Sequence, residues 1–196
     1  MAAGQIGLTF NETMIGGFAL GPSDPAAGEK MGEQNGTTFA MRAVIVIDDL
    51  DRFIADAQHA ASLSGEIDFT PFGSHIPGDH GIFNLFKPAS NQKLMVYELS
   101  FSHNNQRYYM AGKKFIKDDA GPDLLTETTT LYTVLYQGTD SSGPAVGAGI
   151  LKLGPQQLAD LVQTIHVLNA PNTIESARAV VKFLKFFLGE LWESFV

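Results

Sequence analysis

Apolar and polar residues alternate with a period of two along most of the chain, the signature of half-buried strands. The clearest run is Ser62 to Thr70, where Leu63, Gly65, Ile67 and Phe69 share one face and Ser64, Glu66, Asp68 and Thr70 the other. Thr38 to Ile47 puts Phe39, Met41, Ala43, Ile45 and Ile47 together. Lys93 to Ser102 sets Met95, Tyr97, Leu99 and Phe101 on one face, and Thr128 to Gln137 sets Leu131 and Leu135 opposite Tyr132, Val134 and Tyr136. Shorter strands are expected at Leu8–Phe10 continuing to Phe18, at Ile82–Phe86, at Arg107–Ile116 and at Val146–Leu153.

Turn chemistry separates these runs. Gly21 to Gly36 is polar and reads as a mobile loop, and Pro71 to Gly81 as a second irregular stretch. Ser102-His103-Asn104-Asn105-Gln106 reads as a hairpin loop, because Asn tolerates the left-handed region. Asp118–Pro122 and Gly138–Pro144 mark two further turns. Consecutive strands with short connections predict a mainly β chain, an antiparallel up-and-down, lipocalin-like barrel of about eight strands. A β-sandwich with C-terminal helices produces the same alternation and stands as the alternative.

The period changes at the C-terminus. Pro155 suits the first turn of a helix expected over 155–168, with Leu158, Leu161, Val162 and Ile165 on one stripe. A second helix is expected over 173–195, started by Asn172 with Glu175 three residues on. Its apolar arc is widened by Phe183, Phe186, Phe187 and Trp192. A short helix from Leu50 to Ala57 should turn Leu50, Phe53 and Ile54 inward. The whole of 1–196 reads as one β-rich domain, the expectation for 196 residues.

Composition narrows the classes. Lys and Arg number 13 against 21 Asp and Glu, a net charge of −8, which argues against tracking a phosphate backbone. With no Cys there is no disulfide, thiolate metal site or Cys nucleophile. No apolar run is long enough for a membrane-spanning helix, no secretory signal is visible, and a cytoplasmic location is expected.

The candidate chemistry is sparse. His75, Asp79 and His80 share a loop but lack the ligand spacing of a metal site, so no metal is expected. There is no Gly-x-Ser-x-Gly elbow, and Gly147-Ala148-Gly149 continues to Lys152 where a dinucleotide loop needs a third Gly. No cofactor is expected. Glu12, Glu66, Asp68 and Glu98 lie on strands, and one facing a barrel interior would be notable. Aromatic residues carry more information. Tyr97, Phe101, Tyr109, Tyr132 and Tyr136 recur in the middle strands and are the candidate ligand-binding residues, since Tyr joins an apolar body to a hydrogen-bonding tip. Phe183, Phe187 and Trp192 are the candidate interface, on a partner or a second copy.

Several motifs, in order, carry a resemblance: Phe10-Asn11-Glu12-Thr13-Met14-Ile15-Gly16, Ile47-Asp48-Asp49-Leu50-Asp51-Arg52-Phe53, Gly81-Ile82-Phe83-Asn84-Leu85-Phe86, Tyr97-Glu98-Leu99-Ser100-Phe101, Gly112 to Asp119, Thr128 to Thr133, Ala148 to Leu151 and Gly189-Glu190-Leu191-Trp192. The chain resembles an accessory segment of large bacterial proteins that join a cholesterol-oxidase-like (GMC) oxidoreductase to an alpha/beta-hydrolase region. The resemblance implies a link to sterol or lipid metabolism and an oxidoreductase or hydrolase partner. It implies no catalytic residue. The expected function is a non-catalytic module binding a lipid- or sterol-like apolar small molecule in a barrel. The alternatives are an interaction or homodimerisation module and a cofactor-free isomerase or cyclase.

Overall fold

The computed structural model describes residues 4–117 and 124–193. In chain order the elements are β1 (Gly7–Leu20), α1 (Pro25–Asn35), β2 (Thr38–Ile47), α2 (Leu50–Ala55), β3 (Ala60–Phe69), β4 (Gly73–Ala89), β5 (Gln92–His103), β6 (Gln106–Lys117), α3 (Leu124–Thr129), β7 (Thr130–Gln137), β8 (Ala145–Lys152), α4 (Pro155–Gln163), β9 (His166–Leu168) and α5 (Thr173–Glu193). Strands β1 to β8 pair in sequence order, all antiparallel, and β8 returns to β1, which closes an eight-stranded up-and-down barrel. The alternation of the strands therefore belongs to a barrel and not to a sandwich.

Strand β1 is long enough to serve two neighbours on one edge. Its C-terminal half pairs with β8 and its first residues with β9, so Gly7 faces Leu168 and Leu20 faces Gly147. Strand β9 replaces the second half of the helix expected over 155–168. That helix stops at Gln163, and Thr164 ties its end to β1 by accepting the Asn11 N–H at 2.9 Å.

Two stretches read as irregular are ordered elements. Gly21 to Gly36 contains α1, with Asp24 accepting the Ala27 N–H at 2.8 Å, Pro25 opening the first turn and Gly36 closing it in the left-handed region. This helix shows no apolar stripe because its buried residues are Gly28 and Gly32. A Cβ on Gly28 would lie 2.0 Å from the Ala148 carbonyl oxygen, and one on Gly32 would lie 2.2 Å from the Phe18 nitrogen. The helix backbone thus lies directly on β1 and β8. Likewise, Gly73 to Gly81 is the first half of β4, where register shifts and left-handed His75 and His80 break the alternation. Asn104 and Asn105 do make the tight β5–β6 turn, both at positive φ. The turn expected at Asp118–Pro122 lies outside the described residues.

The inward positions of the strands meet in one core. Phe18, Phe39, Phe69 and Phe101 fill one end of the barrel, with ring centroids 4.9–6.4 Å apart. Met14, Met41, Ile67, Leu99, Met110 and Leu135 are fully buried and occupy the next level by strand register. At the opposite end α4 and α5 cover the barrel. Phe183 of α5 stands 6.0 Å from Phe10, and Phe187 5.4 Å from Phe86. Helix α5 is also held by ion pairs from Lys182 to Asp51 and, at 3.0 Å, from Lys93 to Glu190.

Candidate functional site

The covered end of the barrel is not filled. A cavity of about 320 Å³ lies between the strands and the two helices. Phe10, Phe83, Leu85, Met95 and Leu153 form its barrel side, Leu161, Val162 and Ile165 its α4 side, and Phe183, Leu184 and Phe187 its α5 side. Its size is at the lower end of the range for small-molecule sites, and its lining is mostly apolar.

Besides Thr128 and Thr129 at the end of α3, three polar residues line it: Glu12 from β1, Tyr97 from β5 and Lys114 from β6. They are 3%, 1% and 2% exposed. Strands β1 and β5 are four places apart in a ring of eight, so Glu12 reaches across the full width of the barrel. Lys114 Nζ donates to Glu12 Oε1 at 2.6 Å, and the Tyr97 hydroxyl donates to Glu12 Oε2 at 2.7 Å. The Lys114 ammonium also lies 4.9 Å from the Tyr97 ring centre, within range of a cation–π contact. Small residues make the room: Glu12 is registered against Ala43, Ala43 against Gly65, and Tyr97 against Gly112.

An ion pair in such a setting is retained only when its partners satisfy each other, because desolvation costs several kcal/mol per ion. Glu12 has both oxygens engaged. Lys114 does not: Glu12 is the one hydrogen-bond partner found for it among the described residues, leaving two of its three N–H groups without an acceptor. Burial, and then the neighbouring Glu12, push the Tyr97 phenol well above its ordinary pKa, so it stays a protonated donor.

The residues singled out from sequence divide by face. Tyr97 lines the cavity. Phe101 points into the barrel but lies at the filled end, among Phe39, Phe72 and Tyr108. Tyr109, Tyr132 and Tyr136 alternate with the inward Met110, Leu131 and Leu135 and so face outward. Tyr132 meets Phe115 on the outer surface, and burial together with Glu98 raises the Tyr109 pKa. These three are not pocket residues. Phe183 and Phe187 line the cavity instead of forming an outward docking face, and Phe183 is 5% exposed. The side chain of Trp192 lies outside the described residues.

The other carboxylates and imidazoles sit elsewhere. Asp68 pairs with Arg42 at 2.5 Å on the outside of the sheet, which holds its carboxyl below the ordinary range. His75 meets Glu66 at 2.8 Å, and His80 is exposed. Among the described residues no group of three His, Asp or Glu is placed to hold a metal ion, and no helix is long and apolar enough to cross a membrane. Lys114 was missed from sequence. Its one local signal was a Lys at an inward position of the Arg107–Ile116 alternation, between Gly112 and Ile116.

No protein-family model, curated protein or solved structure matches the chain. The fold and the site define its class: a closed antiparallel β-barrel with a helix-covered apolar cavity and a buried Glu–Tyr–Lys trio.

Proposed function

We propose that the barrel binds an apolar small molecule in the cavity beneath α4 and α5, as a carrier or accessory module. The observation that carries this reading is an apolar cavity lined by a buried lysine for which Glu12 is the one hydrogen-bond acceptor among the described residues. A core with a purely structural role would be closed by side chains, as the other end of this barrel is. The space matches about ten non-hydrogen atoms at roughly 30 Å³ each. A sterol has more than twice that number, so the reading is narrowed to smaller lipids or terpenoid-sized molecules. An isomerase or cyclase reading would need Glu12 to take a substrate proton, and both its oxygens already accept from Lys114 and Tyr97.

The purified protein is extracted with organic solvent and the extract analysed by mass spectrometry, alongside titration with an environment-sensitive apolar dye. A bound molecule of the expected size, or saturable dye binding that Leu85→Trp abolishes, supports the reading. An empty extract with no saturable binding overturns it.

A second reading has its own observation. Ile174, Val181 and Leu188 are spaced seven apart on the outer face of α5, 64%, 50% and 61% exposed, with the exposed Ala177 between the first two. This is the spacing with which one helix packs on another, and the partner it fits is α5 of a second copy. Light scattering on wild type and Val181→Glu tests it: a dimer that the substitution converts to monomer supports it, and a wild-type monomer refutes it.

A further inference from the structure

We infer that the cavity selects an uncharged ligand of about ten non-hydrogen atoms carrying one oxygen acceptor, such as a ketone, aldehyde or alcohol, and rejects the carboxylate of the same length. The inference rests on the binding reading above and specifies its ligand class. The ground is charge balance. Glu12 and Lys114 sum to zero wherever their shared proton resides, and among the described residues no other ionisable side chain besides the Tyr97 phenol lines the cavity. A ligand carboxylate would add an uncompensated charge next to polar groups that are only 1–3% exposed, beside a Glu12 that repels it. A neutral oxygen adds none. It would accept from the two N–H groups of Lys114 that lack a partner among the described residues, while its hydrocarbon body takes the place between Phe10, Leu85, Met95 and Phe187.

The same balance predicts how the preference can be reversed. Glu12→Gln keeps the shape and a hydrogen-bond acceptor but leaves Lys114 as a lone cation. The variant should then welcome the anion that the wild type excludes. Lys114→Met does the opposite, removing the donors and leaving Glu12 to repel anions.

The experiment measures binding of 2-undecanone and of decanoate, two probes of equal non-hydrogen atom count, to wild type, Glu12→Gln and Lys114→Met at neutral pH. Circular dichroism confirms that each variant is folded. Wild type should prefer the ketone by at least about tenfold, the scale of an uncompensated charge in a partly buried site. Glu12→Gln should lose or invert that ratio, and Lys114→Met should weaken the ketone. Decanoate binding to wild type as tightly as the ketone overturns the inference while leaving the binding reading in place, and so does an unchanged ratio in Glu12→Gln. Should Glu12→Gln not fold, the wild-type ratio together with Lys114→Met decides: a ketone affinity unmoved by that variant overturns it. If neither probe binds any form, both the inference and the reading beneath it fail.

Discussion

At one end of the barrel, β1, β2, β3 and β5 contribute Phe18, Phe39, Phe69 and Phe101, and the rings fill the section. At the other end, β1 and β5 contribute Glu12 and Tyr97, small residues stand at Ala43, Gly65 and Gly112, and about 320 Å³ stays open. The helices differ in the same way. Helix α1 lies on the outside of the filled end, backbone against backbone through Gly28 and Gly32. Helices α4 and α5 cover the open end with large side chains that meet the cavity instead of filling it. The filled end holds the barrel closed. That stability lets the other end carry a cavity and a buried ion pair, both of which cost stability.

Four perturbations break or sharpen this contrast, in descending size. Phe39→Ala should cost about 3–5 kcal/mol, because it removes a ring packed against three others. Chemical denaturation measures this, and a loss below about 1 kcal/mol would mean the filled end is not tightly packed. Lys114→Ala should cost about 3 kcal/mol or somewhat more by leaving Glu12 charged and unpaired, while Glu12→Leu/Lys114→Met should recover most of that loss. A double variant no more stable than the single one would show that the trio contributes something besides charge pairing.

Gly32→Ala comes next, at about 1–3 kcal/mol, because its methyl group has no room above Phe18. Hydrogen exchange should show α1 loosened while the cavity end keeps its protection; uniform loosening would contradict the separation of the two ends. The smallest effect is in the alkaline range. Tyr97 has a raised pKa in the folded state, so its contribution to stability is complete below the unfolded value of 10.0 and is lost as pH rises from there toward the folded value. Tyrosinate absorbance should show Tyr97 and Tyr109 ionising late among the five Tyr. Tyr97→Phe should remove one late component, and a spectrum that does not change would place Tyr97 in contact with water.

Much of the barrel is legible in the alternation. Strand β2 occupies the expected Thr38–Ile47, and Leu63, Ile67 and Phe69 face inward as their period requires. The same alternation already opposed Tyr132 and Tyr136 to Leu131 and Leu135. A Tyr side chain suits a pocket, but the face on which Tyr132 and Tyr136 stand points them outward. Helix α1 was hidden because its buried face is glycine, which carries no hydropathy signal. The first half of β4 was hidden because bulges interrupt its period.

What the sequence determined by itself is the set of local preferences: the strand period, the Asn104-Asn105 turn, the Asn172 cap that accepts the Glu175 N–H, and the inward face of most strands. Only the tertiary structure decided the site. Glu12 is separated from Tyr97 by 85 positions and from Lys114 by 102, and nothing local links them. They meet because barrel closure places β1 opposite β5 and β6, and because α4 and α5 cover that end without filling it. Periodicity specifies which face a residue occupies, whereas only closure and register specify what stands across from it.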